Sequence, residues 1–356
     1  MANYFLTASK DASVYLQQPN QNTGLDEILE ISKVFYGNVK DVSHALLKFE
    51  LGYLSASLTA GNLSMTEAIL VMREAQSEEI PLEYTIYANP ISGSWEMGIG
   101  TRFDAITTKG VNWNFREGDS KLNWLDNNFN SYTTASVNDG SGGTWWMNYS
   151  SSQNFKYEKG DINMDVKNLL KTWMTGSIPN DGLILRFDNA KELDTQDYGI
   201  VRLFSKETYT IYQPKIRIGW DDQSFLTGSL SPLTASEIKI GIKNLKKEYK
   251  KETTPKIRVF ARELFPVKTF SDTFSYNNIK YLPKTSYYQI RDFASNDIIV
   301  PFSNFTKLSL DSDGNYFNLN LCNWEANRTY KIEFKIDNNG DVKYFDEDLT
   351  FFLAAN

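Results

Sequence analysis

Apolar residues recur at every second position through most of this chain, and only one stretch repeats at helical spacing. Leu82, Tyr84, Ile86 and Ala88 fall on one side of an extended segment, and Leu47, Phe49 and Leu51 interleave with Lys48 and Glu50. The pattern returns later in Ile238, Ile240 and Ile242; Ile257, Val259 and Ala261; Phe317, Leu319 and Leu321; and Ile332, Phe334 and Ile336. Lys239, Lys243, Lys331, Glu333 and Lys335 occupy the opposite side. Successive side chains of a strand point to opposite faces, so this spacing specifies antiparallel sheet with one wet face. Lys215–Trp220 reads as a further strand, and Phe5–Leu6 and Val14–Leu16 as an opening pair around a turn at 7–11. The exception is Val166, Leu169, Leu170, Trp173 and Met174, one face of a short helix that Asp165 would cap and Gly176 would end.

The chain has 356 residues, too many for one ordinary sandwich core, so two all-β domains in series are expected. The stretch 221–234 contains Gly228, Pro232 and several Ser and is the expected linker. The domains then span 1–220 and 235–356, the second with the strand spacing of an immunoglobulin-like sandwich. The longest loop runs from about Trp95 to Tyr149, and short strands are expected inside it at 111–115 and 145–149, since a structureless loop of that length is unusual.

Catalytic chemistry finds few candidates. His44 is the only histidine, so any serine or cysteine triad would have to use it, and its place in a strand-like run reads as a satisfied structural histidine. Cys322 is the only cysteine, which rules out an intramolecular disulfide and fits synthesis in a reducing cytosol. The N-terminus lacks the charged and apolar regions of a signal peptide, and no apolar run is long enough to span a membrane. The acidic segments Asp311–Asn315 and Asp337–Asp341 place glycine fourth rather than sixth, which departs from a calcium loop and suits hairpin turns. Glu78–Glu79 and Asp346–Asp348 are sequence neighbours rather than a cleft pair for glycoside cleavage. No catalytic residue, resident metal or cofactor is therefore expected.

Charge separates the two parts. Residues 1–220 carry 19 Lys+Arg against 26 Asp+Glu, a net −7, and residues 221–356 carry 18 against 18, a net zero. The first part is a poor partner for nucleic acid or an anionic membrane. The basic run Lys243–Glu252 reads as a solvated loop able to touch an acidic surface. Trp95, Trp113, Trp124, Trp145 and Trp146 crowd the loop-rich middle. They are read as loop anchors, with stacking on sugar rings as the alternative.

The first 220 residues resemble the DNRLRE-type jelly-roll domain, a relative of carbohydrate-binding modules. The likeness rests on Leu6–Tyr15, His44–Leu51, Ser94–Thr101, Gly110–Trp113, Asp165 to Trp173, Gly182–Arg186, Phe204–Glu207 and Pro214–Ile218, in that order. The wording Tyr4–Ala12 and Asn22–Glu30 is similar to virion structural proteins of large tailed bacteriophages, in which a jelly roll precedes an immunoglobulin-like domain. Ile298–Phe302, Asn315–Phe317 and Arg328–Ile332 are the similar parts of the second domain. The resemblance implies an oligomeric structural protein of the head (capsid), neck, tail or baseplate, contacting other virion proteins, without catalysis. A glycan-binding adhesion module is the alternative.

Overall fold

The computed structural model of the protein describes residues 2–52, 54, 65–125, 134–136, 140–157, 160–266 and 279–355. Strands account for 49% and helices for 5%, so the class is all-β, built of sandwiched sheets. The chain divides into two compact units: the first holds Leu6–Asn62 and Glu67–Arg217, the second Met1–Phe5, Leu63–Thr66 and Ile218–Asn356. No helix among the described residues is long and apolar enough to cross a membrane.

The first unit is organised around the strand Val39–Phe49. Its opening half pairs antiparallel with Ile28–Tyr36, and its closing half lies between Ala2–Tyr15 and Leu183–Arg186. Glu83–Pro90 and Ser151–Lys156 extend the sheet beyond Leu183–Arg186, while Gly199–Phe204 and Glu74–Glu78 extend it beyond Ile28–Tyr36. The register sets Leu46 against both Ala12 and Ile184, and His44 against Val14, so these side chains share one face. Leu47, Ala45 and Leu183 take the other. Val42 through Leu47 are all buried, because the long loop covers the face that alternation would leave wet.

Several sequence expectations shift. The opening pair of strands is one strand, Ala2–Tyr15, with an irregularity between Ala8 and Lys10 in place of a turn. A bulge admits the polar Ser9–Lys10 step without reversing the chain. The helix forms at Lys167–Met174 and buries Leu169, Leu170 and Trp173. Asp165 accepts from the Lys167 N–H at 2.9 Å, and Gly176, at φ +70°, donates to the Trp173 carbonyl. A second helix, Asn189–Leu193, is capped by Asp188 and is too short to show a period. The loop strands fall at Phe115–Glu117 and Thr144–Trp146 rather than 111–115 and 145–149.

The second unit packs a four-stranded sheet (Ile238–Ile242, Lys256–Glu263, Gly314–Asn318, Ser309–Asp311) with a five-stranded one (Glu248–Lys250, Asp341–Ala354, Arg328–Asn338, Ser286–Asp292, Ile298–Val300). Both sheets feed one core, in which Ile257, Val259 and Phe317 of the first meet Tyr288, Ile332, Phe334 and Phe351 of the second. Asn339 and Gly340, at φ +55° and +96°, form the two-residue turn between paired Asn338 and Asp341, the hairpin the sequence specified.

Two expectations are corrected here. The segment 221–234 is not a free linker: Leu310 N–H donates to the Ser224 carbonyl at 2.8 Å and Leu226 N–H to the Leu310 carbonyl at 3.1 Å. Ser231–Pro232 then runs parallel to Lys280–Tyr281, and Leu233 is buried. Gly, Pro and Ser mark short edge strands as well as linkers, which is why composition misled. The Lys243–Glu252 run is not all solvated loop either, since Glu248–Lys250 pairs in parallel with the last strand and buries Tyr249.

Candidate functional site

On the covered face of the first unit, tryptophans fix the loop to the sheet. Trp95, Trp113, Trp124 and Trp145 are buried with Ala12, Val14, Leu46 and Ile184. The Trp95 indole N–H donates to the Asp181 carbonyl at 2.8 Å and that of Trp124 to the Asn112 carbonyl at 3.2 Å. Gly142, at φ +80°, lies against the Trp113 ring, where a Cβ would sit 2.7 Å from ring carbons. Its N–H donates to the Trp113 carbonyl. Four of the five loop tryptophans are thus anchors without an exposed stacking surface, and Trp146 is half-buried.

Behind them sits a buried ionic group. His44 Nδ1 is 2.7 Å from the Gly142 carbonyl oxygen, which can only accept, so Nδ1 carries a hydrogen. Nε2 faces Glu192 Oε1 at 3.2 Å, and an Arg186 amino group lies 3.7 Å from the same oxygen. The Arg186 guanidinium covers the Trp145 ring at 3.9 Å and donates to the Phe187 carbonyl at 2.7 Å. Burial pulls Arg186 below its usual value, and the Glu192 and Asp188 charges oppose that. The group joins the central strand, the Leu183–Arg186 strand, the short helix and the loop. Through Gly142 and Glu192, His44 links the central strand to the loop and the short helix.

The most exposed part of the same loop is also the most firmly held at its base. Asn22 is fully buried, and its amide donates to the carbonyls of Met97 at 2.8 Å and Val111 at 2.7 Å. Its Oδ1 accepts from the N–H groups of Gly24 at 3.3 Å and Gly100 at 2.8 Å. Gly98 and Gly110 press on this side chain, and Gly100 on the Asn22 carbonyl, too closely for any Cβ. Arg102 is fixed from three sides: its N–H donates to Asp26 at 3.0 Å, its guanidinium to Glu30 at 2.9 Å, and its plane covers Tyr15 at 4.0 Å. Burial raises the Asp26 carboxyl and the Tyr15 phenol. From this base the loop presents Phe103, 89% exposed, with Ile106 at 70% and Ile99 at 58%. Leu25, 42% exposed, joins them through its N–H bond to the Gly100 carbonyl. The set is apolar and projecting, and its base is fixed within this chain by the bonds of Asn22 and Arg102.

The other sequence candidates are accounted for locally. Asp311 is held by Lys256 and Arg258, and hydrogen bonds from Arg258 keep its carboxyl well below the usual range. Asp337 caps Gly340 N–H at 2.8 Å. Among the described residues no group of three or more His, Cys, Asp or Glu is placed to hold a metal ion. Cys322 is half-buried, its thiol pushed up to about 11 by burial and by Glu252. Glu78 pairs with Arg202, and Asp346 and Asp348 with Lys331. Sequence reasoning missed Glu192, in a helix too short to show a pattern. It also missed Arg102 and Phe103, whose only signal is one aromatic in a polar, Gly-rich loop.

No family model matches the chain, and no curated protein matches it. Among solved structures, a DUF4785 family protein from Legionella pneumophila aligns over 99% of this chain with 8% identity and a TM-score of 0.20. The chain spans 62% of that structure's length, and a likeness at this level carries no argument about fold or function.

Proposed function

We propose that this protein is a non-enzymatic structural component of an assembled particle, joined to its neighbours by protein–protein contacts. The observation that carries this reading is the clamped loop: a buried Asn22 and a triply held Arg102 keep an 89%-exposed Phe103 in place. The Phe103 ring lies 5.4 Å from the clamped Arg102 guanidinium, and preordered aromatic anchors reduce the entropy lost when surfaces dock. The resemblance of the ordered motifs to tailed-phage virion proteins makes a virion the particle of choice, and the acidic first part suits contacts with protein rather than nucleic acid. Mass spectrometry of gradient-purified particles, with copy number, tests it. A fixed stoichiometry is expected, and absence from the particle would overturn the reading.

A further inference from the structure

Beyond particle assembly, we infer that the outer face of the four-stranded sheet binds a single strand of nucleic acid, with Phe260 as a stacking platform between cations. Ile240, Ile257, Val259 and Ala261 belong to the core of the second unit, so Lys239, Arg258, Phe260 and Arg262 take the outer face. The register sets Lys239 opposite Arg262 and Gly241 opposite Phe260. The Lys243 N–H donates to the Arg258 carbonyl, which makes those two residues the next outward pair. The Phe260 ring lies against Gly241, where a Cβ would meet ring carbons at 2.8 Å. The ring is only half-buried, so part of its surface stays open to solvent. A glycine inside a strand gives up packing and often marks a place where another group comes close. Cations therefore stand on both sides of the ring along the strands, about 7 Å away by two residues of strand rise.

Charge is segregated toward this face. Residues 237–263 carry 9 Lys+Arg against 4 Asp+Glu, a net +5, within a 221–356 segment that sums to zero. Arg258 is held by Asp311 and Asp313. Lys239, Lys243 and Arg262 are exposed and make no ion pair among the described residues. Lysine on an edge strand such as Ile238–Ile242 also keeps a sheet from pairing with another, but the half-open ring has no part in that. A flat apolar ring between uncompensated cations suits a ligand that carries both planar rings and negative charge. Single-stranded nucleic acid does: an unpaired base stacks on the ring while flanking phosphates meet the cations. A duplex keeps its bases stacked inside, and an acidic polysaccharide has no flat ring, so neither can use Phe260. One platform and three free cations give weak, salt-sensitive binding without sequence preference.

Fluorescence anisotropy of a labelled oligothymidine with the full chain at low salt tests the inference. The wild type should bind saturably, its log affinity falling against log salt with a slope of about −2, as three cations on a single strand require. Phe260→Leu keeps an apolar side chain against Gly241 and removes the flat ring. It should lose about 10-fold in affinity with the slope unchanged. Lys239→Glu and Arg262→Glu change exposed positions and should lower both affinity and slope while melting like wild type. Heparin, as a polyanion without flat rings, should bind wild type and Phe260→Leu alike. A wild type that does not bind oligothymidine overturns the inference. So does Phe260→Leu binding it like wild type, which leaves only a general attraction for polyanions. Loss of heparin binding in Phe260→Leu overturns it too, since that marks a disturbed face rather than a lost stack. None of these results bears on particle copy number, so the assembly reading stands or falls separately.

Discussion

In the second unit Tyr288 stacks on Phe317 at 4.1 Å, Phe334 meets Phe317 edge-on at 6.4 Å, and Asp292, held by Arg328, is the buried charge among the described residues. In the first unit Asp11, Glu30, Lys33, His44, Arg186 and Glu192 are all at most 5% exposed. The contrast follows from coverage. Strands such as Arg328–Asn338 leave one face to solvent, so their polar residues stay wet. In the first unit a long loop covers the face that carries His44 and Arg186, while Asp11, on the face of Leu47, is buried with its carboxyl accepting from the Lys206 N–H. One unit is held chiefly by apolar packing, which local deletion of charge disturbs little. The other also holds buried charged groups, whose stability rests on the charges and donors set around them.

The strongest way to break this comparison is Glu192→Ala. It leaves His44 and Arg186 buried and facing each other, and should cost about 3–5 kcal/mol in urea unfolding of the first unit. Phe334→Ala should cost a similar amount in the second unit through a cavity. If Glu192→Ala costs under about 1 kcal/mol, the ionic group is not a tie and the contrast fails.

Acidity should separate the units by sign. Burial pushes Asp11 up to about 7, against the Lys206 N–H bond and charge that lower it. Its folded value is raised, so the fold prefers the protonated acid. That stability is full below the unfolded value of 3.8 and is lost as pH rises to about 7. Asp311 is depressed, so its contribution is present above 3.8 and lost as pH falls. Between pH 4 and 7 thermal melts should show the first unit weakening by up to about 4 kcal/mol, a slope that Asp11→Asn flattens. The second unit should weaken only on the acid side.

Asn22→Ala removes a side chain that serves two carbonyls and two N–H groups, and should cost about 3 kcal/mol. Limited proteolysis should then cut between 98 and 110 while the second unit stays intact. The smallest effect is local to the second unit. Gly340→Ala, at φ +96°, should lower its stability by about 1 kcal/mol and leave the Asp11-linked slope unchanged.

The second unit was the more legible of the two. Its strands Ile238–Ile242, Lys256–Glu263 and Arg328–Asn338 and its Asn339–Gly340 turn follow from period and turn chemistry, both local properties. Lys215–Trp220 and the helix around Leu169 and Trp173 were legible for the same reason. Val42–Leu47 was not, because burial on both faces erases the alternation. His44 was legible as part of a strand-like run, but its Glu192 partner, 148 positions away in the chain by their numbers, was not. Nor was the clamp joining Asn22 to Val111, 89 positions apart, since nothing local in either residue announces the bond. The loop tryptophans were read as anchors, and four of them are buried.

Phe5 lies in the core of the second unit, edge-on to Trp324 at 5.8 Å, and its carbonyl accepts from Asn323, 318 positions later. During synthesis Phe5 is therefore made long before the Asn323–Trp324 segment it packs on. The segments assigned to the first unit have emerged once residue 217 has, whereas Phe5 reaches its own core only after Asn323 and Trp324 follow. Loss of the Phe5 ring should therefore slow the folding of, and weaken, a unit whose main body begins only at Ile218.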